Sequence, residues 1–522
     1  MNKSSLRKTI VIGAGMGGLS AAIRLAAAGQ SVTLVEAQPT PGGKMRTLPG
    51  TPGRPADAGP TVLTLRHVFD DLFACAGARL EDHLTLIPQP LLARHFWPDG
   101  SQLDLHTDIA ASTEAVAAFA GPKAADEFRR FNTLSAQAYA AFDAPMMQSA
   151  RPRAVGAALG ALTHPAAWPV LLPGRSLARQ MVSSFSDPRL RQLFGRYATY
   201  VGGVPDRSPA VLSLIWHAEA RGVWAVQGGM AELARALAAL AVRLGVQIIY
   251  GQSVQQITRQ NGHVGEVVLS NGRALKGDAV VFNGDPAALL AGLLGPGPQQ
   301  SLPAAAAHPR SLSAWVWAFA ATLGPGAPDL AHHNVFFTAD PSTEFGPLLR
   351  GQMPDAASLY VCAQDRGMAH PPTGAERFEI ILNAPPKTTL FAKEIDQCRA
   401  KTFPPLDRFG LHFSPPPPDS ALTTPSGFST LFPGSQGAIY GRSPHGTWAS
   451  FQRPTARTAL KGLYLAGGGA HPGAGVPMAA LSGKHAAEAI LTDQTSASTS
   501  LRTAMRGGMS MVSRLTGRVP SR

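Results

Sequence analysis

Cysteine is scarce in this sequence. Three cysteines occur in 522 residues, and Cys75, Cys362 and Cys398 are scattered without a C-x-x-C pair. Such spacing indicates neither a disulfide framework nor a zinc site, and it is typical of a protein of the reducing cytoplasm. We therefore expect no metal. The first predicted strand begins within ten residues of Met1, which leaves no room for a signal peptide.

Long apolar runs are also missing. Beyond the amino-terminal strand and helix, the longest apolar run covers residues 312–323 and is rich in Trp and Phe. It is too short to cross a bilayer, so it is predicted to be a core strand. With 45% hydrophobic residues, the chain is long enough to form two packed domains.

Acidic residues are outnumbered, and the net charge is +13. No basic motif interleaved with aromatic residues is present, so we expect no nucleic-acid partner. Residues 144–186 contain no acidic residue, and four arginines flank the apolar side chains there. A basic, apolar segment of this kind is typical of contact with a membrane surface. The alternative is an interdomain loop whose apolar face is buried. The four arginines are Arg151, Arg153, Arg175 and Arg179.

The amino-terminal 44 residues contain the strongest pattern. A β-branched run at 9–12 predicts a buried strand, and a G-x-G-x-x-G turn, a helix and a second strand at 32–35 follow in register. This order predicts a Rossmann-type dinucleotide site. The glycines allow a pyrophosphate to approach the helix, and Glu36 is placed to accept hydrogen bonds from a ribose diol.

Further motifs resemble those of one group of flavoproteins. Pro41-Gly42-Gly43-Lys44 and Asp57-Ala58-Gly59-Pro60-Thr61 are similar to segments of amine oxidases and carotenoid desaturases. In that group these segments lie along FAD and beside its flavin ring, so the resemblance implies tightly bound FAD rather than NAD. The residues predicted to bind FAD are Gly13, Ala14, Gly15, Met16, Gly17, Gly18, Glu36, Ala37, Gly42, Gly43, Lys44, Gly59, Pro60, Thr61, Val254, Gly467, Gly475, Val476, Pro477 and Met478.

Three later segments favour the carotenoid branch. Residues 222–230, 438–442 and 462–478 resemble segments of carotenoid desaturases. Gly468 stands where many other FAD families have an aspartate, which argues against an amine oxidase. The resemblance implies an α/β fold with a discontinuous Rossmann-type FAD-binding domain and an α+β substrate domain. We assign 1–65, 225–285 and 456–492 to the first, 66–224 and 286–455 to the second, and 493–522 to a basic, disordered tail.

Within this family, residues 92–105 and 195–224 and the pair Asp365-Arg366 most resemble the branch that desaturates 1-hydroxycarotenoids. The resemblance implies formation of a C-3,4 double bond in acyclic 1-hydroxy- or 1-methoxycarotenoids, as in spheroidene and spirilloxanthin synthesis. It implies a peripheral enzyme on the cytoplasmic side of the inner membrane, with oxygen or a quinone as electron acceptor. The alternatives are a phytoene desaturase-type enzyme, an amine or porphyrinogen oxidase, and a non-redox carotenoid isomerase or carrier.

Candidate proton acceptors are Arg94, His95 and His471. Arg94 and His95 lie on a hairpin predicted to turn at Asp99-Gly100, and for all three a structural role is the alternative. His332 and His333 are adjacent, so on a strand they would project to opposite faces and not share a metal; we expect surface or hydrogen-bonded histidines.

Overall fold

A computed structural model describes residues 6–368, 372–389 and 393–508. Its strands, β1 to β20 in chain order, are Lys8–Ile12, Ser31–Val35, Thr47–Thr51, Arg54–Asp57, Leu86–Pro88, Leu91–Phe96, Gln102–His106, Trp224–Val226, Gln247–Ile249, Val254–Gln260, His263–Leu269, Ala274–Lys276, Ala279–Phe282, Ser313–Leu323, His333–Phe336, Leu359–Ala363, Glu376–Ala384, Phe413–Ser414, Leu422–Thr423 and Leu463–Leu465.

The α-helices, α1 to α16, are Met16–Ala27, His67–Ala74, Ile109–Ala120, Pro122–Phe142, Ala154–Thr163, Trp168–Leu171, Leu177–Ser184, Pro188–Gly195, Leu214–Ala220, Ala231–Arg243, Pro286–Leu290, Ser342–Leu349, Glu394–Asp407, Pro425–Leu431, Ala449–Gln452 and Val476–Gly508. The region 112–224 is largely helical and contains most of α3 and all of α4 to α9.

A parallel sheet in the order β20-β13-β1-β2-β9 carries the first glycine turn. Val11 is buried beneath α1 and α16, and Ile10 is buried on the other face, against the three-stranded sheet β10-β11-β12. Because parallel strands of this kind are buried on both faces, their sequences are continuous apolar runs, as this sequence shows. The α/β class and the Rossmann-type architecture are thereby confirmed. The strands of this sheet lie in three separated stretches of the chain, and the division into domains stays a prediction.

Two glycines allow α1 and α16 to approach each other closely. A Cβ at Gly483 would lie 2.3 Å from the Gly17 carbonyl oxygen, and a Cβ at Gly17 would lie 2.4 Å from the Gly467 nitrogen. The neighbouring apolar side chains Leu19 and Ile23 are fully buried. Each contributes about 1.5–3 kcal/mol by its removal from water. This packing fixes the helix that begins at the glycine turn.

An eight-stranded sheet forms the second layer, in the order β18-β14-β17-β16-β15-β6-β7 with β19 paired to β14. Directly paired residues of antiparallel strands project to the same face. His333, Cys362, Glu379 and Ala318 form one such row. We call the face that carries this row the site face. The opposite face packs against α13 through an aromatic cluster.

Three local predictions differ from the structure. The β6–β7 hairpin is present, but its loop contains Pro98 as well as Asp99 and Gly100, because the Trp97 N–H bonds to the Ser101 carbonyl oxygen at 3.0 Å. The tail predicted to be disordered after 493 begins as a continuation of helix α16, which runs to Gly508, and its assignment as a separate tail stays a prediction. Helix α16 continues there because no proline and no glycine before 507 interrupt it. The last residues of the tail lie outside the described residues.

His332 and His333 do not diverge, and that prediction is wrong. Their ring centroids lie 4.6 Å apart. The alternation rule fails because β15 begins at His333, so His332 is not a strand residue. The prediction that both are hydrogen-bonded is confirmed, to the Arg366 carbonyl oxygen and the Tyr360 hydroxyl, each at 2.7 Å.

Candidate active site

The first glycine turn leaves the amino-terminal end of α1 open. Gly15 precedes the helix without a side-chain cap, and the first turn of α1 carries no acidic residue. A Cβ at Gly18 would lie 2.0 Å from the Gly13 carbonyl oxygen, so only glycine fits there. The first N–H groups of a helix have no intrahelical acceptor and carry the positive end of its dipole. This end of α1, which includes Met16 and Gly17, is therefore suited to a phosphate group.

Glu36 is held beside the same turn. Its carboxylate accepts hydrogen bonds from the N–H groups of Ala14 at 2.6 Å and Gln38 at 2.8 Å. The Glu36 carbonyl oxygen accepts the Gln252 N–H at 3.0 Å, which brings the chain leading to Val254 alongside. Each carboxylate oxygen has lone pairs left for a ribose diol. Ala37, directly after it, is exposed.

The second glycine turn lies against the first. The Gly42 N–H donates to the Ala14 carbonyl oxygen at 2.9 Å, and a Cβ at Gly43 would lie 3.2 Å from the Gly15 Cα. The buried Lys44 ammonium donates to the Ile439 carbonyl oxygen. Burial lowers the pKa of Lys44 to about 8, Asp285 opposes this shift, and Arg310 and Arg453 add to it.

The segment 57–61 is fixed against the site face. Asp57 accepts the Met230 N–H at 2.6 Å, and its backbone exchanges two hydrogen bonds with the Gln364 side chain at 3.0 and 2.9 Å. The Thr61 hydroxyl lies 2.7 Å from that of Tyr360. Gly59 has no room for a side chain, because a Cβ would lie 2.0 Å from the Lys44 carbonyl oxygen. Pro60 follows directly, half-buried.

The carboxyl-terminal glycine segment meets the first turn at Asn283, which the sequence analysis passed over. The Asn283 amide donates to the Gly13 carbonyl oxygen at 3.1 Å, and a Cβ at Gly467 would lie 2.7 Å from Asn283 Oδ1. The signal for Asn283 is its position directly after the apolar run Ala279–Phe282, which forms β13. Helix α16 begins after Gly475, and its first turn holds no acidic residue. That turn comprises Val476, Pro477 and Met478.

These features fit FAD. Two helix starts without acidic residues, and glycines with no space for a Cβ, provide a cradle that a dinucleotide backbone can approach. Asp285 is the carboxylate that balances the charge of three buried or partly buried cations. These are Lys44, Arg310 and Arg453. A pyrophosphate would neutralise this excess of positive charge.

The three candidate proton acceptors have different surroundings. Arg94 forms a two-pronged ion pair with Asp104 at 2.8 and 2.9 Å and another with exposed Asp329 at 2.8 Å, so it does not reach a cavity. His471 is buried, and its Nε2–H lies 2.9 and 3.0 Å from two backbone carbonyl oxygens of residues 146 and 149. Arg94 and His471 are therefore held by structural contacts. Of the three candidates, His95 lines the cavity described next.

That cavity, which we call the end-group pocket, lies between the site face and the helices. Its apolar wall includes Leu92, Trp216, Val335 and Phe337. Its polar part consists of His95, Arg196, Tyr197, Tyr200 and Glu219.

Burial shifts the pKa values of two side chains in the end-group pocket, Glu219 and His95. The Tyr197 hydroxyl donates to the Glu219 carboxylate at 2.6 Å. Burial raises the pKa of Glu219 to about 7, against hydrogen bonds from Tyr197 and Tyr200 and the charge of Arg196. Burial lowers the pKa of His95 to about 4, so this imidazole is neutral at pH 7.

Glu379 is a second carboxyl that the sequence analysis missed. It is fully buried on the site face, and neither of its oxygens has a hydrogen-bond partner among the described residues. Burial, reinforced by Asp57, raises its pKa well above the ordinary value, while the charge of Arg46 and the nearby Gly59 N–H, which lies outside hydrogen-bonding geometry, oppose the shift. No pattern marks it in the sequence, because it sits in a strand of apolar neighbours.

The row on the site face also holds a cluster of metal-ligand types. One donor atom each from His332, His333 and Cys362 lies within 4.8 Å of the others. The His332 Nε2 is 3.7 Å from the Cys362 thiol. The expectation of no shared metal relied on the two imidazoles diverging, and it loses that support.

Comparison with known proteins defines the class first. The profile of the family described as "Flavin containing amine oxidoreductase" matches residues 16–491. A putrescine oxidase structure is similar with a TM-score of 0.58 at 15% identity, covering 93% of this chain and 99% of its own. Cyclohexylamine oxidase from Brevibacterium oxydans IH-35A has a TM-score of 0.54 at 18% identity, covering 94% and 99%. The chain belongs to this family and is an FAD-dependent oxidoreductase with the amine-oxidase fold.

Sequence relatives place it further. It is 62% identical to the hydroxyneurosporene desaturase of Cereibacter sphaeroides, over 94% of this chain and 99% of the relative. It is 57% identical to the hydroxyneurosporene desaturase of Rhodobacter capsulatus, over 94% and 98%. A lycopene-forming phytoene desaturase from Pseudescherichia vulneris is 31% identical, over 94% and 100%. The chain is therefore a member of the carotenoid desaturase family, which confirms the predicted resemblance.

Proposed function

We propose that this protein introduces a C-3,4 double bond into acyclic 1-hydroxy- or 1-methoxycarotenoids. The observation that carries the proposal is the end-group pocket, in which an apolar wall surrounds a few polar groups. An apolar polyene with one polar end has that same distribution. The identity to hydroxyneurosporene desaturases, 62% and 57%, supports the choice of substrate.

The predicted cofactor residues divide the binding of FAD among them. We assign the pyrophosphate to 13–18 and 42–44, the ribose diol to Glu36, the adenine side to Val254, and the flavin side to 59–61 and 467–478. When bound, FAD supplies the acceptor for the hydride that leaves one allylic carbon of the substrate. The chain's own task is to hold the polyene flat beside segment 57–61 and to exclude water.

Glu379 is our assignment for the proton acceptor. The reaction removes a hydride from one carbon and a proton from its neighbour. The hydride leaves with its electron pair, and the pair that the departing proton leaves behind forms the new double bond. Glu379 lies beside Asp57 and Gly59, with no partner for its oxygens. The raised pKa of Glu379 means that burial disfavours the ionised form, and that the ionised carboxylate, once formed, is a stronger base than an exposed glutamate. Arg94 and His471 act on structure through the contacts described above, and His95 acts as part of the pocket wall.

Substrate delivery is proposed to occur at a membrane surface. In the segment 144–186, several apolar side chains are exposed, among them Leu159 at 59% and Leu162 at 66%, whereas others such as Val170 are buried. Arg151, Arg153 and Arg179 are exposed in the same segment. Apolar side chains beside cations suit an anionic bilayer. Among the residues that the structure describes, no helix combines the length and apolarity needed to span a membrane.

We place the protein peripherally on the cytoplasmic side of the inner membrane, with oxygen or a membrane quinone as the final electron acceptor. Both acceptors are reached from that position, since carotenoids and quinones share the bilayer.

An anaerobic single turnover tests the proposal. FAD-loaded protein in liposomes is given a 1-hydroxylated acyclic carotenoid or phytoene, and the visible spectrum is followed. A red shift of the hydroxylated pigment with bleaching of the flavin, and no reaction of phytoene, is the expected result. Reaction of phytoene alone would contradict the C-3,4 assignment. Pigment binding without bleaching or red shift would replace desaturation by isomerisation or transport.

A further inference from the structure

We propose that Glu219 and Arg196 form a subsite for the tertiary hydroxyl at the end of the substrate and determine the preference for oxygenated carotenoids. This inference rests on the proposed function for the identity of the polyene. It concerns a binding site that the family resemblance does not assign to any residue.

The first step is the chemistry of the two side chains. A tertiary hydroxyl has one hydrogen to donate and lone pairs to accept with. The Glu219 carboxylate accepts hydrogen bonds from Tyr197, at 2.6 Å, and from Tyr200, and its two oxygens have lone pairs left for a further donor. The Arg196 Nε is buried and has no hydrogen-bond partner among the described residues. A buried donor without a partner is costly, and a ligand oxygen would satisfy it.

The second step is the surroundings. Glu219 and Arg196 line a pocket whose other wall is Trp216, Val335 and Phe337. The two methyl groups and the polyene chain attached to the hydroxyl-bearing carbon are apolar, as these walls are. A few polar groups placed among apolar walls fix the orientation of a ligand. The pocket therefore selects one end of a long, otherwise uniform molecule.

The third step is location. The hydroxyl-bearing carbon is only a few bonds from the C-3,4 pair, so its subsite must adjoin the reaction site. The Arg196 guanidinium lies 5.9 Å from the centre of the Tyr360 ring, and the Tyr360 hydroxyl contacts Thr61 at 2.7 Å. Thr61 ends the segment proposed to lie beside the flavin ring. One aromatic side chain thus separates the subsite from the reaction site.

The hydroxyl and methoxyl end groups differ in what they require. A methoxyl group has no hydrogen to donate, so above pH 7, where the Glu219 carboxyl is ionised, it interacts with Arg196 and gains nothing from Glu219. The loss of the Glu219 carboxylate is therefore expected to weaken binding of the 1-hydroxycarotenoid more than that of the 1-methoxycarotenoid.

The test measures binding and turnover for a matched pair, an acyclic carotenoid with a 1-hydroxyl and the same carotenoid with hydrogen at C-1. Binding is followed in liposomes by quenching of tryptophan fluorescence, to which Trp216 in the pocket wall contributes. The variants are Glu219→Met and Glu219→Gln. The control is Glu114→Gln, because Glu114 is exposed on α3 and its substitution makes the same change of charge.

We expect the native protein to bind the hydroxylated carotenoid more tightly than its partner by about 10- to 100-fold, the range for one or two hydrogen bonds made in a buried site. Glu219→Met should lower that ratio to what the Arg196 contact alone supplies, while the affinity for the unhydroxylated carotenoid and the FAD content stay within about 2-fold. Glu219→Gln should retain part of the ratio, because its amide oxygen still accepts.

Equal weakening of both carotenoids by Glu219→Met, or an unchanged ratio, would overturn the inference. Failure of the proposed function has a different signature. If neither carotenoid bleaches the flavin but the binding ratio collapses in Glu219→Met, the desaturase assignment fails and the subsite stands. If both carotenoids are desaturated, and Glu219→Met changes neither rate, the desaturase assignment stands and the subsite fails.

Discussion

The Glu219→Gln substitution offers a sharp test of the reasoning about the end-group pocket, because it should raise stability while impairing substrate selection. Burial raises the pKa of Glu219 from 4.5 to about 7, while hydrogen bonds from Tyr197 and Tyr200 and the charge of Arg196 limit the rise. The folded chain therefore retains a proton that the unfolded chain releases. Stability associated with this group is full at pH below about 4.5 and is lost as the pH rises to about 7.

The size of this effect follows from the shift. A pKa of about 7 in place of 4.5 corresponds to a loss of about 3 kcal/mol in unfolding free energy above pH 7. Glutamine cannot ionise, so the variant escapes that loss. For a chain of 522 residues that unfolds cooperatively, about 3 kcal/mol moves the Tm by about 2–3 °C.

The assay is thermal unfolding of the FAD-loaded protein at pH 5 and pH 8. We expect the Tm of Glu219→Gln, relative to the native protein, to be about 2–3 °C higher at pH 8 than at pH 5. Comparing two pH values cancels any constant effect of the substitution. Glu114→Gln should show no such difference. An equal Tm offset at both pH values, or one that falls with pH, would refute the claim that an ionised Glu219 is held at a cost in the pocket.

Three further predictions test other parts of the site. Glu379→Gln should lower the anaerobic rate of flavin bleaching by about 10²-fold or more without loss of FAD, since proton transfer by a positioned base contributes about 10²–10⁴-fold; an unchanged rate would exclude it as proton acceptor. Gly18→Ala should abolish FAD retention on gel filtration, because its Cβ would lie 2.0 Å from a carbonyl oxygen, whereas Gly29→Ala, which meets no atom within 4 Å, should cost about 1 kcal/mol and keep FAD. Leu159→Asp with Leu162→Asp should reduce flotation with anionic liposomes at least 10-fold while turnover of detergent-dispersed substrate persists; unchanged flotation would show that another surface binds the membrane.

The cofactor side of the molecule could be predicted closely from sequence because it depends on local backbone chemistry. Gly18 has no space for a side chain, and Glu36 accepts hydrogen bonds from the N–H groups of Ala14, within the turn, and of Gln38. Constraints of this kind recur as short motifs. Asn283 could not be predicted from a short motif, because its contact with Gly13 joins residues that are far apart in the chain.

The substrate side could not be predicted in the same way, since alternation along a strand gives the face of a residue but not what covers that face. Arg94 and His95 were equal candidates in sequence. In the structure one is held by Asp104 and Asp329 outside the cavity, and the other lines it. Glu379 carries no motif at all, and its significance lies only in the lack of a partner for a buried carboxyl.

The two unusual carboxyls, Glu219 and Glu379, together indicate how an apolar pocket can direct chemistry on a chain of nearly equivalent carbons. Apolar walls cannot fix the register of a polyene, because sliding it by one unit changes little contact area. A hydroxyl held at Glu219 fixes that register, and a base at Glu379 acts only on the carbon presented there. If this is correct, Glu219→Met should not merely slow the reaction. It should broaden the set of desaturated products, whereas Glu379→Gln should slow the reaction and leave the product pattern unchanged.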